Sequence, residues 1–301
     1  MSFERKLRSR SVAWLLVAAI GVSACSSGGD GSNAEKAKDP DKEQTPSVLK
    51  IGNKMFSVPS PIQTAFDLKQ AGATFNPELL NNPDKVDAYS TRFSQAVNMG
   101  VYGADLGYAL VNRQTQEGLK FLASCKKISN EMGMASVFTN NLLDRFGNNI
   151  ENTDSLLSLV GEAYLLSDSY LKENKSEELG ILILAGGWVE SMYFATSIAI
   201  NSDSDELRNR VGQQRSSLEN LLALLSRLEN RTDELENLLV QLKDLQSEYR
   251  DVDLRYTYEA PETNPDQKLT VINSRSEARI TQEKLQILAD KIAAIRNQLV
   301  G

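Results

Sequence analysis

Residues 181–200 read ILILAGGWVESMYFATSIAI: twenty positions with no proline, no basic residue and one acid, Glu190. The stretch is strongly apolar and keeps helical periodicity. Ser176 stands where a cap is needed, so the spacing predicts a helix over 177–200. The adjacent glycines, Gly186 and Gly187, are the anomaly, because an interior helical glycine costs up to about 1 kcal/mol against alanine.

A second segment has the same character. Gly100-Val101-Tyr102-Gly103-Ala104-Asp105-Leu106-Gly107-Tyr108 places Gly103 and Gly107 four apart, on one helical face, around a lone acid. Two accounts offset the cost of these glycines. In the first, two helix backbones approach and pack where side chains are missing. In the second, the two helices wall a ligand pocket. Tyr102, Tyr108, Trp188 and Tyr193 then supply flat apolar surface, and Asp105 and Glu190 supply polar handles. Both acids stand in apolar runs, so at least one is expected to be buried and paired. A general acid–base pair made of the two is a third reading, and it requires them to converge in a cleft.

Outward from these segments, the chain from 50 to 202 keeps helical periodicity. Residues 50–61 are apolar and turn-like, an extended lead-in or a small hairpin. Ser60-Pro61 opens a first helix that ends near Gly72. Further helices are expected over 84–99, 103–132, 136–146, 155–173 and 177–200, with Gly133, Gly147 and Asn152-Thr153-Asp154 as punctuation. The fold class is therefore all-α: a helical bundle-like core domain of antiparallel neighbours over 50–202. No 34- or 40-residue period recurs in the manner of a helical-repeat solenoid.

Beyond it, 203–301 has a heptad pattern. One seam position holds Val211, Leu218, Leu225, Thr232, Leu239 and Gln246; the other holds Leu207, Gln214, Leu221, Leu228, Leu235, Leu242 and Tyr249. This predicts one long coiled-coil helix over 204–250. A loop with Pro261, Asn264 and Pro265 follows. A second run (Ala278, Thr281, Leu285, Leu288, Ile292, Ile295, Leu299) then folds back as a long antiparallel coiled-coil hairpin over 228–249.

The residues that are missing exclude much chemistry. There is no histidine among 301 residues, which removes Ser-His and Cys-His nucleophile pairs and the commonest zinc ligand. No glycine-rich phosphate loop stands at the required spacing. Of two cysteines, Cys125 lies in an amphipathic helix and reads as a buried structural thiol. No catalytic residue, metal site or cofactor is expected. The net charge of −7 argues against nucleic acid and against electrostatic adhesion to anionic lipid.

The amino terminus carries an address. Arg5, Lys6, Arg8 and Arg10 precede an apolar run from Val12 to Val22, which is too short to span a bilayer of roughly 30 Å. Val22-Ser23-Ala24-Cys25 follows, and it resembles the lipobox of bacterial lipoproteins. That resemblance implies cleavage before Cys25, a diacylglyceryl group on its thiol and stable membrane anchoring by two or three acyl chains. The alternative is an ordinary signal peptide cleaved after Ala24. Residues 25–49, beginning Cys25-Ser26-Ser27-Gly28-Gly29, then read as a flexible tether. Ser26 resembles outer-membrane sorting, with the protein facing the periplasm. Asp154-Ser155-Leu156 resembles a short O-glycosylation acceptor of Bacteroidota, although a helix cap explains it equally. Phe56-Ser57-Val58-Pro59-Ser60-Pro61 and Gly186-Gly187-Trp188-Val189-Glu190-Ser191 resemble an uncharacterised helical lipoprotein group of Bacteroidota, which implies no activity.

The expected organisation is a signal peptide (1–24), a lipidated tether (25–49), a helical core (50–202) and a coiled-coil hairpin (203–301). The expected role is a non-enzymatic, membrane-anchored lipoprotein of the cell envelope. It meets an envelope protein partner through the coiled coil, with the pocketed sensory module and the carboxylate enzyme as alternatives. A body truncated after Ile200 is expected to fold alone.

Overall fold

The computed structural model describes residues 47–51, 54–264, 269–271 and 274–301. The signal peptide, Cys25 and the tether as far as residue 46 lie outside the described residues. Among the described residues the body is built from α1 (Pro61–Gln70), α2 (Arg92–Val111), α3 (Thr115–Glu131), α4 (Asn140–Asn148), α5 (Thr153–Glu173), α6 (Glu177–Ile200), α7 (Asp205–Gln213), α8 (Arg215–Leu225), α9 (Asp233–Glu248) and α10 (Gln282–Val300). Three small antiparallel strand pairs accompany them: β1 (Ser47–Ile51) with β2 (Lys54–Val58), β3 (Asp253–Thr257) with β6 (Arg275–Arg279), and β4 (Glu262–Asn264) with β5 (Leu269–Val271). The chain is thus mostly helical, and the described residues fall within one compact unit.

The centre is the crossing of α2 and α6, and the glycines make it. A Cβ on Gly186 would sit 1.8 Å from the Val97 carbonyl oxygen, and one on Gly100 would sit 1.9 Å from that of Ile183. The two backbones therefore touch, and only glycine fits at either point. The same packing explains where the sequence reading fails. A helix break was expected near Gly100–Gly103, but α2 runs through it, because contact with α6 offsets the propensity cost. The break falls at Arg113, which has a left-handed φ of 59°, after Asn112 bonds back to the Tyr108 carbonyl. Of the helix expected over 84–99, residues 83–88 form a 3-10 segment and α2 opens only at Arg92; residues 77–79 form another 3-10 turn.

Other caps follow the sequence. Ser60 accepts from the Gln63 amide to open α1, and Asn152 accepts from that of Ser155 to open α5. Asp154 and Ser155 thus lie in the first turn of α5, with Leu156 in the core. The lead-in is the hairpin rather than a lone extended segment, with Ser47 opposite Val58. Its first strand takes in residues 47–49, which had been assigned to the tether.

The continuous helix over 204–250 is not found. It is cut at Gln214 and again over 226–232, where Thr232 caps α9 by accepting from the Leu235 amide. Both cuts include a polar seam position. The apolar seam residues are buried all the same, from Leu207 to Tyr249, because shorter helices can each turn that stripe inward. The antiparallel pairing over the distal half does occur. Gln241 meets Gln298 at 2.6 Å, Lys284 meets Glu248 at 2.9 Å, and Lys291 bonds Asp244. The pair does not project as a hairpin, however, since α10 lies along α6 and belongs to the body. The segment between α9 and α10 is a β arm instead of a loop. Gly212 and Ala278 hold its base, where a Cβ on Gly212 would come within 2.4 Å of that of Ala278.

The crossing and an open site give opposite expectations. Gly186→Ala should lower stability by roughly 1–3 kcal/mol or more through overpacking against backbone. Gly161→Ala, on α5 with open space around it, should raise it by about 0.5–1 kcal/mol. Urea unfolding of the two variants against the parent checks both signs.

Candidate functional site

Among the six residues singled out for a pocket, the structure brings Asp105 and Glu190 together, packs Tyr102, Tyr108 and Trp188 in the core and leaves Tyr193 half-buried at its edge. Tyr102 is buried, donates to the Asn82 carbonyl at 2.9 Å and rests near Tyr89 and Phe121. Tyr108 stacks on Phe194 at 4.6 Å, with its hydroxyl accepting from the Asn76 amide. Trp188 is buried with its Nε1 unpartnered. At Gly100 and Gly186 the backbones of α2 and α6 leave no room between them, and Gly103 and Gly107 lie against Tyr164 and Ile62 instead of facing α6. Cys125 is buried and free, and burial pushes its thiol up to about 12.

The polar feature at this junction includes a residue that the sequence reading missed. Arg296, from α10, donates Nε and Nη2 to the two oxygens of Glu190, each at 3.0 Å, and its guanidinium lies 4.9 Å from the centre of the half-buried Tyr193 ring. Glu190 and Asp105 are both completely buried. Asp105 Oδ1 accepts from the Asn81 amide at 3.3 Å and Oδ2 is buried without a hydrogen-bond donor, while the carboxyl as a whole interacts with that of Glu190. Two acceptors facing each other repel; a proton on one turns the contact into a hydrogen bond. Desolvation first, and the Glu190 charge second, push Asp105 well above the carboxylate range. Burial also raises Glu190, but Arg296 counters this by bonding to its charged form. Glu190 is then the ionised partner and Asp105 the un-ionised one.

The end of α10 is received by the same neighbourhood. Asn98 donates to the Leu299 carbonyl at 2.8 Å, Tyr89 to that of Val300 at 3.3 Å, and Lys85 to that of Gly301. These side chains satisfy carbonyls that a helix end leaves open. Arg296 was not among the residues singled out from the sequence. The one signal for it was its position next to Ile295 in an apolar stripe, which does not reveal a partner 106 residues away.

The second feature is the β arm. Residues Asp253, Arg255 and Thr257 share one face with Arg279 and Glu277, and the other face carries Leu254 and Tyr256. Among the described residues, nine large hydrophobic side chains are exposed. Five of them, Leu254, Tyr256, Tyr258, Leu269 and Val271, belong to this arm. Its signal was legible in the alternation of Leu254, Tyr256 and Tyr258 with Asp253, Arg255 and Thr257, a period-two pattern.

Compared with known proteins, the chain matches no family model, no curated protein and no solved structure.

Arg296→Met strands a buried Glu190 charge and should cost about 3–5 kcal/mol in chemical unfolding. Lys291→Met, which removes a partly exposed pair with Asp244, should cost under about 1 kcal/mol. The same geometry reverses the expectation for a body truncated after Ile200. Loss of α7 to α10 uncovers α6 and orphans Glu190, so that fragment should lack a cooperative unfolding transition.

Proposed function

We propose that this chain is a non-enzymatic lipoprotein of the bacterial cell envelope, anchored by lipid on Cys25, that meets a partner protein through its β arm. The anchoring half rests on the lipobox-like Val22-Ser23-Ala24-Cys25 behind a basic and apolar leader. The interaction half rests on one observation, the concentration of exposed apolar side chains on the arm. A two-stranded ribbon has little core of its own, so apolar residues on it stabilise nothing unless something covers them. Its charged face carries both signs, which suits a partner with an apolar contact strip and a mixed polar rim. The arm replaces the coiled-coil seam as the contact surface, because the seam leucines of α9 are already buried against their own body.

The convergence of Asp105 and Glu190 favours a structural role over acid–base catalysis. Both carboxyls are completely buried, and one is committed to Arg296 through two hydrogen bonds. Substrate chemistry needs a path to the reacting groups.

Two measurements test the proposal. Cys25→Ala should move the protein from the membrane fraction to the soluble fraction of expressing cells; continued membrane residence would sink the anchoring half. Crosslinking on membranes should capture a protein with the parent chain and not with a Tyr256→Ser, Tyr258→Ser variant. A Leu165→Ser change on α5, also exposed, should leave capture intact. Equal capture by all three would sink the interaction half.

A further inference from the structure

The junction of α2, α6 and α10 has a charge imbalance. Two carboxyl groups and one guanidinium meet there, and both carboxyls have zero exposure. If both were ionised, one negative charge would be left over in a dry site. An unpaired buried ion costs several kcal/mol, and groups in such sites take up a proton instead. Arg296 spends two donors on Glu190, so Asp105 is the carboxyl left to carry the proton.

The groups facing this pair come from each packed element. They are Tyr102 on α2, Cys125 on α3, Tyr89 from the 83–88 turn region, Glu190 and Tyr193 on α6, and Arg296 on α10. Burial holds the phenol of Tyr102 and the thiol of Cys125 neutral well beyond ordinary pH. Arg296 stays charged throughout. Asp105 is therefore the group at the junction whose charge changes.

Two routes lead from Asp105 to the last helix. One passes through Glu190 to Arg296. The other passes from Oδ1 to the Asn81 amide, from the Asn81 side chain to the Tyr89 hydroxyl at 3.3 Å, and from that hydroxyl to the Val300 carbonyl. Helices α2 and α6 are joined at their backbones independently of this network, whereas α10 is registered by it. We propose that a proton held between Asp105 and Glu190 is a latch on α10: bound, it keeps the helix docked, and its release as pH rises loosens the helix. The arm runs into α10 through Ile280 and Thr281, so the latch also sets the footing of the arm. That last consequence rests on reading the arm as the contact surface; the latch itself does not.

The sign follows from linkage. A carboxyl raised in the folded state above its ordinary value near 3.8 contributes stability that is complete below that value. The contribution is lost as pH rises toward the folded value.

Hydrogen exchange of the purified full chain, corrected for the intrinsic pH dependence of amide exchange, reads this without partner or membrane. Opening of α10 should increase by up to tenfold per pH unit above about pH 4, until Asp105 has ionised. The core of α2 should not follow. Asp105→Asn keeps a donor toward Glu190 and an acceptor toward Asn81, and should remove the pH slope. The same slope in the variant, or an equal rise across every helix, would overturn the latch. Should Asp105→Asn not fold, the infrared carbonyl stretch of a buried un-ionised carboxylic acid in the parent at pH 7 decides the matter, and its absence overturns the proposal.

Discussion

The rest of the body depends on the contact between the backbones of α2 and α6. At Gly186 against Val97, and at Gly100 against Ile183, no side chain separates the two helices. A packed interior transmits displacement, so this contact fixes where every later helix finds its groove. It also explains an apparent fault in the sequence. Glycines that weaken each helix alone are what allow the pair to exist, and interhelical packing outweighs a local preference of about 1 kcal/mol per residue.

Close approach has an electrostatic consequence. It carries Asp105 and Glu190 to the same dry interior, where like charges cannot both persist. The fold answers with one guanidinium from the far end of the chain and one proton. Arg296 bonds Glu190, and the carbonyls at the end of α10 are received by Asn98, Tyr89 and Lys85. Buried polar groups of this kind stabilise less than apolar packing of equal volume, but they tolerate few alternative arrangements. Here they select one register for α10, whose apolar face of Leu285, Leu288, Ile292 and Ile295 could by itself slide along a neighbour.

The arm stands outside that logic. Its base is held by Asn209, which accepts from the Ala278 amide at 2.6 Å, and by a Gln213 bond to the Ser276 carbonyl. Above the base the strand residues are exposed on both faces, with tyrosines among them. Among the described residues, most other large apolar side chains are hidden, so the capacity for contact is concentrated on the arm.

The sequence by itself determined the helical class, the caps at Ser60 and Asn152, and the burial of the seam leucines. These depend on local backbone geometry and on the 3.6-residue period, which are written in short stretches. It also held the alternation of the arm, which a heptad reading passed over as a loop between helices. What only the tertiary structure decided was which neighbours those surfaces meet. The heptad stripe could serve a projecting hairpin or a body wall, and the breaks at Gln214 and over 226–232 turned it inward. The glycines could serve a pocket or close packing: Gly186 and Gly100 make the backbone crossing, while Gly103 and Gly107 make room for Tyr164 and Ile62. Asp105, Asn81, Glu190 and Arg296 come from four separate parts of the chain, and no local pattern links an acid at 190 to an arginine at 296. Their association arises only when packing excludes water and leaves charge to be balanced by whatever the fold has brought within reach.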